Sequence, residues 1–142
     1  MKTLLIITSL ALLCAPCFAQ LGANFKECEA KYGRPSSSYP ATGEAIYKKS
    51  GWQVEIHFIA GRAAVVTYLK LEGEFDTADM SRLLDDNGKD WQVTKATNIV
   101  TVYAGPDGRT ATWDPTDHTF AFFSKAWKDY IAAKDAKRAQ QN

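Results

Sequence analysis

One run, WQVEIHFI at residues 52 to 59, constrains the fold more than any other part of the chain. In it Trp52, Val54, Ile56 and Phe58 alternate with Gln53, Glu55 and His57. Successive side chains of a strand point to opposite faces, so the run is a half-buried β-strand with one apolar and one polar face. Ala60-Gly61 then supplies a tight turn, because glycine tolerates positive φ. The segment AAVVTYLKL at 63 to 71 returns as the antiparallel partner, and EAIYKK at 44 to 49 adds a third strand.

Helix signals flank this meander. Asn24 is placed as an N-cap with Glu27 three residues on, a capping box, and Gly33 followed by Pro35 ends the helix. Phe25, Cys28 and Tyr32 recur at helical spacing and form its buried stripe, with Cys28 in the middle. The serines and prolines from Pro35 to Pro40 read as a loop. A second helix starts at the Asp76 cap, with Asp79 at N3 and Phe75 and Met80 as a hydrophobic staple, and stops at Asn87-Gly88. Met80, Leu83 and Leu84 form its apolar face. Strands are expected at 90 to 95, 99 to 104, 109 to 114 and 118 to 124, separated by the turns GPDG and DPTD. From Lys125 a final helix docks through Trp127, Tyr130 and Ile131 and frays beyond Lys134. The fold class is α+β: a short helix followed by an antiparallel β-meander, then a C-terminal helix. The order helix, strands, helix, strands leaves duplication and chance as alternatives. WQV recurs at 52 to 54 and 91 to 93, and Gly-Arg at 61 to 62 and 108 to 109.

The first nineteen residues have a lysine, an apolar run from Leu4 to Leu13 and small residues around Ala15 and Ala19, the three parts of a secretory signal peptide. Cleavage is expected after Ala19, leaving 20–142 as a single domain with candidate halves 21–71 and 74–124. The apolar run falls short of the roughly 20 residues needed to span a bilayer, so no stable membrane insertion is expected. The chain is expected to be exported, to a periplasm or to the medium. Cleavage removes Lys2 from 17 basic side chains and leaves them equal in number to the 16 acidic ones. Nucleic acid and anionic membranes select for excess Lys and Arg, so neither is an expected partner. Cleavage also removes Cys14 and Cys17. The remaining thiol, Cys28, rules out an intrachain disulfide framework, and the hydrophobic core must hold the domain together.

The segment LGANFKECEAKYGRP, residues 21 to 35, resembles the opening motif of the small outer-membrane assembly lipoproteins (SmpA/OmlA): a glycine, a short helix, then Gly-x-Pro. That family shares its helix-then-meander fold with β-lactamase-inhibitor protein. The likeness runs over residues 21 to 71, with a second candidate copy over 74 to 124. It implies non-enzymatic protein binding in the cell envelope, with the position of Cys28 facing the sheet. The chain departs from the lipoprotein pattern in lacking a lipidation cysteine, since Cys14 follows Leu13 and Cys17 follows Pro16.

Chemical sites are sparse. A nucleophilic Cys28 would need a low pKa and a base, for which His57 and His118 are the candidates. Its place on the helix stripe favours a packing role. Two lone histidines do not make a zinc site. In DDNGKD at 85 to 90, Lys89 occupies a position where a calcium loop needs oxygen. GPDG lacks the Lys-Ser/Thr of a phosphate loop. No cofactor, metal or catalytic residue is assigned. The strand aromatics Trp52, Phe58, Tyr68, Trp91, Trp113, Phe120 and Phe122 are expected mainly in the core. Tyr39, Tyr103 and Trp113, in or beside loops and turns, are the candidate partner-binding residues. The expected function is an exported protein-binding module, an inhibitor or assembly factor whose partner is another envelope or secreted protein. The alternative is a small secreted hydrolase or a small-ligand carrier.

Overall fold

The computed structural model describes residues 20–141, and the expected signal peptide with its cut after Ala19 lies outside them. The chain runs α1 (Phe25–Tyr32), β1 (Ser37–Tyr39), β2 (Glu44–Lys49), β3 (Trp52–Ile59), β4 (Arg62–Lys70) and α2 (Thr77–Asp86). It continues through β5 (Gln92–Ala96), β6 (Thr101–Ala104), β7 (Thr110–Asp114), β8 (Thr119–Phe123) and α3 (Lys125–Ala139). Both capping boxes form. The Asn24 amide donates to the Glu27 carboxylate at 2.6 Å while the Glu27 amide donates to the Asn24 side chain at 3.0 Å. The Asp79 amide likewise donates to the Asp76 carboxylate at 2.7 Å. Each box satisfies amides that a helix start leaves without partners, worth about 1 kcal/mol per cap.

All eight strands join one antiparallel sheet in the order β1-β2-β3-β4-β8-β7-β6-β5. A helix and four strands occur twice, and the two four-strand units meet through their last strands, β4 against β8. The order reads the same from either edge if β1 is exchanged for β5, β2 for β6 and so on. That symmetry belongs to a two-fold axis through the sheet between β4 and β8. The WQV match does not follow it. Trp52 opens β3, the third strand of its unit, whereas Trp91 precedes β5, the first strand of the other. The two Gly-Arg pairs also fall at different turns, β3–β4 and β6–β7. The architecture repeats, while the sequence matches that raised the idea sit at non-equivalent places.

Strand pairing sorts side chains cleanly by face. One cross-strand row is Tyr47, Val54, Tyr68, Phe120 and Trp113, and the next is Ala45, Ile56, Val66, Phe122, Ala111 and Tyr103. Cys28 from α1 and Leu83 from α2 share a single core with these rows, so both helices cover the same face. Tyr47, Phe120 and Phe122 are its largest fully buried side chains, each contributing about 1.5–3 kcal/mol of burial. Among the described residues no helix is long and apolar enough to cross a membrane.

Four local readings are corrected. Residues 37–39 are not loop but an edge strand, because Ser37 and Ser38 pair with Ile46 and Ala45. Phe25, expected in the buried stripe, stays 39% exposed at its margin, against Tyr47 and Phe58. Trp91 lies outside β5 and its indole donates to the Leu84 carbonyl at 2.9 Å, closing the end of α2. Helix α3 continues to Ala139 and contains no buried residue, with Tyr130 exposed rather than docked.

Candidate functional site

The sheet face opposite α1 and α2 is left open by those two helices and is met by α3 through Trp127 at His57. Pairing aligns Tyr39, Glu44, His57, Val65, Phe123, Thr110 and Ala104 in one row across it. Ser37, Ile46, Glu55, Thr67, Ala121, Thr112 and Val102 form the next row, and Lys48, Gln53, Leu69, Thr119 and Asp114 a third. None of these side chains is fully buried. Threonine and valine suit a strand without needing a covering layer, which is how such a face can stand open to water. Its centre is small and flat, with Thr67, Ala121 and Thr112 side by side across three strands.

Polar contacts order one end of this face. The His57 ring lies with Nδ1 3.3 Å from the Glu44 carboxylate and meets the Trp127 ring edge-on at 4.9 Å. Trp127 reaches it because the Ser124 amide donates to the Ala64 carbonyl at 2.8 Å, which anchors the first turn of α3. Beyond it, Tyr39, Glu44, Ile46, Glu55 and His57 surround a shallow cavity of about 190 Å³. The Gln53 amide donates to Glu55 at 2.8 Å and holds that carboxylate on the surface.

The sheet edges are poor docking sites by comparison. Strand β1 has three residues and is followed by Pro40, and β5 carries Lys95 and a register shift between Val93 and Lys95. Short strands, lysines and bulges are the devices that block strand addition. A partner would therefore meet the face rather than extend the sheet.

The candidate partner-binding residues do not share one surface. Tyr39, 52% exposed, lies on the open face. Tyr103 and Trp113 are half-buried on the helix-bearing side, with their rings 5.8 and 6.1 Å from that of Phe120. Trp113 also meets Phe75 at 4.7 Å. The open rows of threonine and valine escaped the sequence reading, although the outward positions of the alternating strands were a usable signal.

Cys28 is fully buried, and its Sγ accepts from the Gln20 side-chain amide at 3.3 Å. Burial pushes its thiol up from 9.0 to about 11. It lies on the helix-bearing side while His57 lies on the other, so the sheet separates the two. His118 is exposed in the β7–β8 turn. Among the described residues no three His, Cys, Asp or Glu side chains converge on a point where a metal could sit. Comparison of the chain with protein-family models, with curated protein sequences and with solved structures returned no match in any of the three.

Proposed function

We propose that this chain is an exported, non-enzymatic protein-binding module whose partner, another envelope or secreted protein, docks on the open face of the sheet. It would act there as an inhibitor or assembly factor. The observation that carries the reading is the sheet face that α1 and α2 leave open, which α3 meets through Trp127 at His57 and which mixes threonine, valine and a few charges. Such a mixture is what non-obligate interfaces present, since they are about as apolar as ordinary surface. Tyr39 stands at the margin of this face as an aromatic anchor of the kind enriched at binding hot spots. The resemblance of residues 21 to 35 to the outer-membrane assembly lipoproteins points the same way, as do the balanced charge and the signal-like leader.

The test is affinity capture from envelope and culture-supernatant fractions, with crosslinking and competition by untagged protein. A competable partner is expected, and Thr112→Arg should weaken its capture at least tenfold by placing a charge and a long side chain in the flat centre. Ile99→Arg, at a residue 64% exposed outside this face, should leave capture unchanged. Equal capture by wild type and Thr112→Arg would remove the open face from the interaction.

A further inference from the structure

On the helix-bearing side, a cleft of about 230 Å³ opens between the last turn of α1, the middle of α2 and the β2–β3 hairpin. Trp52 and the hydroxyl-bearing Tyr32 and Tyr68 line it, with Lys49 and Arg82 around them. The hydroxyl protons can be counted. A carbonyl only accepts, so the group of Asn87 lying 2.9 Å from the Leu83 carbonyl is its amide nitrogen, which also donates to Tyr68 Oη at 3.2 Å. The Tyr32 and Tyr68 hydroxyls are 3.1 Å apart, and one proton serves that contact. Two phenols bring two protons, which leaves one without an acceptor among the described residues. Burial pushes the Tyr68 phenol up to about 12 and raises Tyr32 as well, so both remain donors at neutral pH.

The charges are unbalanced in the same place. Lys31 is neutralised by Asp86 at 3.2 Å. Arg82 is not: its nearest carboxylate is Asp79 at 3.7 Å, and Lys70 already holds Asp79 at 2.6 Å. The guanidinium instead lies 5.4 Å from the centre of the Trp52 ring. Lys49 donates to the Lys31 carbonyl and has no carboxylate partner among the described residues.

We infer that this cleft binds a small organic carboxylate with a flat apolar body, its oxygens held by Arg82, Lys49 and the spare phenol proton and its body against Trp52. The volume equals roughly eight waters at about 30 Å³ each, enough for a one- or two-ring acid. Inorganic phosphate is disfavoured, because it has no apolar body to lie against the Trp52 ring and Asp86 repels a second negative charge. The cleft lies across the sheet from the proposed partner surface, so either can fail without the other.

Calorimetric titration of the purified protein with naphthoate, naphthamide and inorganic phosphate tests this. Naphthoate should bind saturably, with naphthamide and phosphate at least tenfold weaker. Arg82→Ala should lose at least tenfold in naphthoate affinity and Tyr32→Phe several-fold. The Arg82 side chain is 57% exposed, so its removal should leave thermal unfolding nearly unchanged and keep the comparison clean. Equal binding of acid and amide, phosphate as tight as naphthoate, an unaffected Arg82→Ala or no saturable binding would each overturn the assignment.

Discussion

Two residues show how a sequence signal and its physical role can part company. Arg109 drew notice as half of a repeated Gly-Arg pair, yet its guanidinium donates to the Asn87 carbonyl at 3.0 Å and lies 5.2 Å from the centre of the Trp91 ring. It closes the C-terminal end of α2, where a cation opposes the negative end of the helix. A Cβ on Gly88 would come within 1.8 Å of that guanidinium, which explains a glycine there beyond its positive φ. Cys28 is the opposite case, legible from helical spacing alone. Its burial gives a pH dependence whose sign is fixed. The folded thiol stays protonated up to about 11, while the unfolded one ionises near 9.0. The stabilisation is therefore whole below pH 9 and is lost as pH rises toward 11, by about 2–3 kcal/mol at about 1.4 kcal/mol per unit. Denaturant unfolding across pH 8 to 11 should show this fall, and Cys28→Ala should make it shallower, the phenols of Tyr32, Tyr47 and Tyr68, all raised by burial, supplying the remainder. In native protein at pH 8 a thiol reagent should react with Cys28 only as fast as the chain opens. Immediate stoichiometric labelling would place the thiol at the surface.

Among the elements, α1 and α2 were readable because capping boxes and glycine stops are local chemistry. The edge strand β1 was not, because SSY between two prolines has no alternation and becomes a strand only by pairing with β2. The same contrast governs α3. Its Ser124 cap is real, with the Trp127 amide donating to the Ser124 hydroxyl at 3.2 Å, but its apolar residues are too few to bury it. The β3–β4 turn was foreseen at Ala60-Gly61, and both residues have positive φ, 50° and 74°. A left-handed alanine costs roughly 1–2 kcal/mol, more than the roughly 0.5–1 kcal/mol of chain entropy that glycine adds. Ala60→Gly should therefore stabilise the protein by about 0.5 kcal/mol in chemical denaturation, whereas Ala111→Gly, inside β7, should destabilise it. Destabilisation by Ala60→Gly would mean that the turn is not strained.

For the whole molecule, the α+β class and the helix–meander pattern could be read from the chain, but the sheet order could not. Joining β4 to β8 brings together segments more than fifty residues apart, such as Val66 and Phe122, and no local pattern encodes that pairing. Once made, it merges the two units into one core and leaves a broad face that α1 and α2 do not cover, which is why the candidate surface could not be foreseen from turns and aromatics. The proposed role rests on that face. Its most direct test is photo-crosslinking with an aryl-azide or diazirine residue placed singly at two exposed or half-exposed positions on opposite sides of the sheet. One is Thr112 on the open face and the other is Val93, 58% exposed on the helix-bearing side. A partner that crosslinks from position 112 and not from 93 is the expected result. Crosslinking from 93 alone would contradict the proposal and move the interaction to the side that carries Tyr103 and Trp113.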